Sequence, residues 1–363
     1  MKDLQVNVLS HKFIRVILVQ ADTMLSAPTF SNVLRSKTQS QIITPLEERT
    51  FPSTPRYPPM SDNHLKAGIL ALELDETLYN LNNEQKDFLK RTARIDNDEE
   101  LRKHVLEVQA DAYKVFPYPC IRYFTFAKLA ITHLPNYQQI LKLPQARPGA
   151  ILLDMGCCFG SDLRKAVFDG WPAKDTVALL ISEQLGLWEH GHKLYRTTPA
   201  MFPAGFVAGD AFNEDITSLQ EPCYSLPPEN RPESLTSLKS LIPLRGHVDA
   251  IHTSLFFHLF DEEKQLELAR RLAALLSPMP SSVIFGGHYA RAEKGLKTEI
   301  LGNGKEHIVF WHSPESWKDM WSGNVFREGT VRVDVVWSEE ESHFTELQQS
   351  GKLYYLKWCV TRL

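Results

Sequence analysis

Between residues 150 and 290, short apolar runs alternate with amphipathic stretches. Ala150–Leu153, Thr176–Ile181, Gly205–Ala208, Val248–Thr253 and Ser282–Phe285 are runs of four to six mostly apolar residues, the pattern of strands covered on both faces. The intervening Asp162–Phe168, Glu183–Arg196 and Asp261–Leu276 read as helices, the last with Leu266, Ala269, Ala273 and Leu276 facing inward. This alternation predicts an α/β fold with a parallel sheet under helices. The chain ends differently: Thr330–Trp337 alternates Val331, Val333 and Val335 with polar residues, and Leu353–Val360 is apolar and aromatic. With no strong helix between them, these two runs predict a terminal antiparallel pair.

Upstream, the spacing predicts a largely helical segment from Glu84 to Leu143, closed by Pro144. Within it Leu101, Val105, Val108 and Ala112 form one stripe. The aromatic residues Tyr113, Phe116, Tyr118, Tyr123, Phe124 and Phe126 follow, and they have two readings: packing of a helical cap on the sheet, or a wall over an organic substrate. Ser26–Asn63 is rich in Ser, Thr and Pro and reads as a disordered leader. The expected organisation is therefore a leader over 1–62, a helical cap or lid over 63–148, and a ligand-binding domain over 149–363.

Charge and composition remove several function classes. The net charge of −4 leaves no electrostatic footprint for nucleic acid. The apolar run Phe13–Val19, interrupted by Arg15, is too short to span a bilayer. The five cysteines show no CxxC spacing, so neither a disulfide framework nor a metal site is expected, and the cytoplasm is the default compartment. Nothing in the chain indicates an oligomeric state.

The candidate chemistry lies where strands end. In Ile151-Leu-Leu-Asp154-Met-Gly156-Cys-Cys158-Phe159-Gly160, a strand closes on an acid and turns through two glycines into a helix. Such a turn lets a ligand approach the backbone and face a helix N-terminus. It is neither GxGxxG nor a phosphate-binding loop with GK[ST]. The other strand ends carry Ser182-Glu183, Asp210-Ala211, Ser254 to His258, and Gly286-Gly-His288. The steps from 154 to 182 and from 182 to 210 are both 28 residues, about one strand-helix unit, which supports one shared crevice.

The form Asp154-x-Gly156-x-x-x-Gly160 resembles the S-adenosylmethionine loop of class I methyltransferases, with Cys158 where the middle glycine usually stands. The blocks Lys114-Val-Phe-Pro-Tyr-Pro-Cys-Ile121, Gly156-Cys-Cys-Phe-Gly160 with Asp162-Leu-Arg-Lys165, Phe256-Phe-His-Leu-Phe260 and Glu315-Ser-Trp317-Lys-Asp-Met-Trp321 narrow it. Together they make the chain similar to fungal S-adenosylmethionine-dependent methyltransferases of secondary metabolism, the meroterpenoid group and its relatives. That resemblance implies a Rossmann-like seven-stranded sheet with a helical N-terminal cap. It implies that Asp154, Gly156, Cys158, Phe159 and Gly160 surround the methionine end of S-adenosylmethionine. The ribose acid falls on Ser182, with Glu183 beside it, and Asp210 with Ala211 holds the adenine edge. His258 is the first candidate base, with His288 and His312 next; Phe257, His312 and Trp317 join Tyr113, Phe116 and Tyr118 as candidate substrate contacts. A small apolar acceptor methylated at a hydroxyl or carboxyl fits. The departure at Ser182 keeps a second class open, a methyltransferase fold turned to non-methylating cyclisation or isomerisation, and a third, a binding-only protein.

Overall fold

The computed structural model describes residues 73–181, 185–300, 306–340 and 353–363. The chain divides into two units, Met1–His64 and Leu65–Leu363, and the described residues belong to the second. The expected leader thus lies outside the described residues.

A seven-stranded sheet organises this unit. Its strands are β1 (Ile151–Met155), β2 (Thr176–Leu180), β3 (Gly205–Ala208), β4 (Val248–Ser254), β5 (Val283–Ala290), β8 (Val331–Glu340) and β9 (Leu353–Arg362), in the order β3-β2-β1-β4-β5-β9-β8. The first five are parallel, and β9 and β8 pair antiparallel, as the apolar pattern predicts. Strand order reverses between β1 and β4, which opens a crevice at their carboxyl ends. A two-stranded hairpin, β6 (Gly295–Ile300) and β7 (Glu306–Trp311), follows β5 and is not legible in the pattern.

Alternate strand residues feed two cores. Leu152, Ala178, Leu180, Ala250 and Phe285 face the cap helices, whereas Ile151, Leu153, Val177, Ile251 and Ile284 face the other side. The first layer holds α1 (Asn83–Ala93), α2 (Asp98–Val115), α3 (Ser161–Phe168) and α4 (Leu185–Leu194). The second holds α5 (Glu262–Leu275) and α6 (Pro314–Trp321). Helix starts follow local chemistry: Asn82 and Gln85 make a capping box on α1, and Asn97 accepts from the N–H groups of Glu99 and Glu100 on α2. The stripe Leu101, Val105, Val108 and Ala112 is fully buried. On α5, Arg271 donates to Thr217 O at 2.6 Å and Glu214 at 2.7 Å, pinning the long β3–β4 connection.

Two expectations are corrected. The helical stretch does not run to Leu143: α2 stops at Val115 because Pro117 biases Phe116 to extended backbone (φ −149°, ψ 108°). Short turns follow, and Pro144 sits in the first turn of the four-residue helix Leu143–Ala146 instead of ending one. Likewise Gly286, Gly287 and His288 do not end a strand. β5 continues to Ala290 because β9 pairs with it throughout. Gly286 is needed mid-strand, since a Cβ there would lie 1.7 Å from Thr253 O.

Candidate active site

β1 runs into a loop that only small or strained residues can form. Gly156, Cys158 and Gly160 have φ of +73°, +51° and +66°. A Cβ on Gly156 would stand 2.7 Å from the Phe256 ring, and one on Gly160 would stand 2.6 Å from Trp188. The N–H groups of Gly156 and Cys157 donate to Leu179 O at 3.0 and 3.3 Å, tying the loop to β2. Arg164 supports it from below: Nη1 donates to Phe159 O at 2.7 Å, with the guanidinium 4.8 Å from the Trp188 ring centre and 4.5 Å from that of Phe202. Burial pushes the Arg164 pKa down to about 10. The Phe159 side chain is fully buried and packs against Phe126, with ring centres 4.5 Å apart and the planes tilted by 31°, so its ring belongs to the core.

The cap meets this loop directly. Cys120 Sγ lies 3.8 Å from Cys158 Sγ, Phe126 O accepts from the Ser161 hydroxyl, and Asp162 accepts from Ile131 N–H at 3.0 Å. Tyr118 packs 5.3 Å from Phe116; burial, with Cys120 and Cys158 beside it, raises its pKa. Tyr113, Phe116 and Tyr118 therefore belong to the part of the cap bordering the loop, half-buried against the first core.

At the end of β3, Asp210 accepts from Phe212 N–H at 2.9 Å, and Thr217 donates to Ala211 O at 2.5 Å. The rings of Phe212, Phe260 and Phe256 follow in sequence at 4.9 and 5.3 Å, forming an aromatic wall from the Asp210 corner to the ring over Gly156. Ser182 and Glu183 lie outside the described residues.

Beneath the crevice is an arrangement that sequence reasoning missed. His252, register partner of Asp154, bonds Asp154 Oδ1 through Nδ1 at 2.8 Å and Ser254 Oγ through Nε2 at 2.9 Å. Asp162 Oδ2 lies 3.9 Å from Nε2. Burial works against the imidazolium, but the charges of Asp154 and Asp162 and the bond to Asp154 outweigh it and raise the His252 pKa. Burial, with Asp154 adding to it and His252 opposing, pushes Asp162 up to about 6. The signal was available: His-Thr-Ser is a polar triplet closing a buried strand whose other residues, Asp249 apart, are apolar.

The remaining histidines gather near the end of β5. His288 Nδ1 accepts from Trp358 Nε1–H at 3.1 Å, so its single proton is on Nε2. Burial holds the pKa of His288 well below the usual histidine value, with His312 and His258 adding, and burial takes His312 to about 4. His288 is therefore a hydrogen-bond donor and not a base, against expectation. The Trp317 ring lies 4.4 Å from His288 and 5.2 Å from His312. Buried Nε2 of His288, Nε2 of His312 and Nε1 of Trp311 and Trp317 have no hydrogen-bond partner among the described residues. Phe257 and Trp317 are wholly inside the second core, packed edge-to-face at 5.0 Å, so they back the cluster and offer no open surface to a substrate. His258 is half-buried, with its ring 6.2 Å from Tyr289.

Five parallel strands, a terminal antiparallel pair and a glycine turn after β1 give the Rossmann-like fold of class I methyltransferases. Residues 74–127 match the meroterpenoid methyltransferase N-terminal domain. The chain is 28% identical over 290 residues to the asnovolin E/chermesin D methyltransferase nvfJ of Aspergillus novofumigatus, covering 79% of this chain and 92% of that one. It is also 28% identical over 262 residues to methyltransferase prhM of Penicillium brasilianum, covering 72% and 82%. The O-methyltransferase phiE of a fungal species matches at 28% over 241 residues, covering 66% and 71%. Over most of its length the chain is thus similar to fungal methyltransferases of secondary metabolism, and its residues 74–127 to the meroterpenoid group. Among the described residues, no helix is long and apolar enough to cross a membrane.

Proposed function

We propose that this chain transfers a methyl group from S-adenosylmethionine to an oxygen of a small apolar secondary metabolite. The observation that carries the cofactor is the left-handed turn Gly156–Gly160 at the switch point of the sheet, a tight backbone turn walled by the Phe256 and Trp188 rings. When bound, the cofactor supplies a methyl group already activated on a sulfonium. The backbone of Asp154 to Gly160 would hold its methionine end, Asp210 and Ala211 its adenine edge, and Ser182 with Glu183 its ribose. The Phe212–Phe260–Phe256 wall excludes water beside it.

The acceptor site is the histidine–tryptophan cluster. His288 Nε2–H and Trp311 Nε1–H are buried donors without a hydrogen-bond partner among the described residues. Each unmet buried group costs about 1–3 kcal/mol, which an acceptor carbonyl, carboxylate or ether oxygen would relieve. Tyr113, Phe116 and Tyr118 supply apolar area from the cap over 63–148, acting as a lid on 149–363. Of the histidines expected as bases, His258, past β4, is the one left half-buried and not enclosed. The cysteines of the described residues are free thiols, which suits the cytoplasm. The relatives above are all named methyltransferases, which favours transfer over non-methylating chemistry.

Calorimetric titration with S-adenosylmethionine tests this reading, with Asp210→Ala as the weakened control. Absence of binding by the wild-type chain would overturn it. Binding followed by a one-methyl mass gain on an oxygen-bearing acceptor is the expected result.

A further inference from the structure

His252 is a buried titratable side chain beneath the crevice that the proposed function leaves without a task. Carboxylate, imidazole and hydroxyl are joined in order, Asp154–His252–Ser254, at 2.8 and 2.9 Å. Such a chain moves a proton: the hydroxyl gives its proton to Nε2 while the carboxylate at Nδ1 stabilises the resulting imidazolium. Ser254 is its open end. It is the one residue of β4 not fully buried. The Asp154↔His252 pair puts Ser254 level with Gly156, and Ser254 itself pairs with Gly287, next to His288. It stands between the glycine loop and the histidine–tryptophan cluster.

The backbone holds that position under strain. Leu255 has φ of +52°, left-handed backbone that strains a non-glycine residue. Its N–H donates to Gly287 O at 2.8 Å, and Phe256 then folds over Gly156.

We propose that Ser254 takes the proton from the methyl acceptor and that His252, backed by Asp154, is the positioning residue that receives it. This rests on the oxygen-methylation reading above. As the acceptor oxygen forms its bond to the methyl carbon, the carbon–sulfur bond breaks and its electron pair stays on sulfur. The acceptor proton moves to Ser254 Oγ while the Ser254 proton moves to His252 Nε2, and water later takes it from there. His252 is faced by Asp154 from β1, Asp162 from α3, Ser254 on its own strand and the Phe285 ring of β5 at 5.4 Å. The two acids favour the imidazolium, so the relay becomes competent as pH rises through a midpoint above the ordinary histidine value of 6.5.

Ring-nitrogen NMR on the full-length protein, labelled with 15N-histidine and saturated with S-adenosylhomocysteine, tests the relay without an acceptor. Ser254→Ala is expected to move the His252 Nε2 signal and its titration midpoint; an unchanged signal and midpoint would overturn the proposal. The second measurement uses 2-naphthol and 2-naphthoate as acceptor probes, since a carboxylate has no proton to lose. The naphthol-to-naphthoate rate ratio is expected to fall about a hundredfold in Ser254→Ala and in His252→Asn. A wild-type ratio in either variant would overturn the relay. So would a wild-type protein that methylates naphthoate alone, which leaves the methyltransferase reading intact. A protein that binds the cofactor but methylates neither probe counts against the oxygen-acceptor reading, and the NMR result then decides the relay by itself.

Discussion

Arg164 donates to the carbonyl of Phe159 at 2.7 Å from beneath the glycine loop. Arg164 is only 4% exposed, and its guanidinium lies among Trp188, Tyr195 and Phe202, at 4.8, 5.2 and 4.5 Å from their ring centres. Arg164→Met keeps much of the volume but leaves the carbonyl unmet. Urea unfolding is expected to show a loss of about 2–3 kcal/mol, and calorimetry a weaker affinity for S-adenosylmethionine. Unchanged cofactor affinity would separate the loop from its support.

Gly156 and Gly160 differ from ordinary turn glycines in being closed in by aromatic rings. Alanine at either position must adopt left-handed backbone and displace Phe256 or Trp188. Each substitution is expected to cost about 1–2 kcal/mol of stability. Cofactor affinity should fall further than stability, because the same ring that moves borders the crevice. Paired thermal melts and calorimetry check both.

The raised Asp162 carboxyl gives a pH signature. Its folded pKa, about 6, lies above the ordinary 3.8, so between those values the folded chain holds more protons than the unfolded one. Stability contributed by the protonated form is full below the lower value and is lost as pH rises through the upper. Asp162→Asn, which retains an acceptor for Ile131 N–H, should flatten the fall in urea midpoint between about pH 4 and 6. A variant slope matching the wild type would contradict this.

His288 separates acceptor from cofactor. His288→Leu removes the donor at Nε2 and leaves Trp358 Nε1–H without its acceptor. Methyl transfer is expected to drop about tenfold or more while affinity for S-adenosylmethionine stays near wild type. Because this histidine's pKa is depressed by burial, the loss should not depend on pH between 6 and 8, roughly the range in which a free histidine titrates.

The local pattern already determined the alternation of strands and helices, the terminal antiparallel pair and the turn after β1. Those features depend on residue spacing and on backbone freedom, both of which are written along the chain. Asp154 and the two glycines were legible for that reason. Tertiary structure alone decided which polar groups meet. Asp154 and His252 are 98 residues apart, and only the β1–β4 pairing makes them neighbours. Burial then reversed the expected role of His288, because a tryptophan on β9 occupies one nitrogen and excluded water denies the ring its charge. The same closure moved Phe159, Phe257 and Trp317 from candidate contacts into the core. Their residue types suit a pocket and a core equally, and only the packing of the two layers distinguishes them.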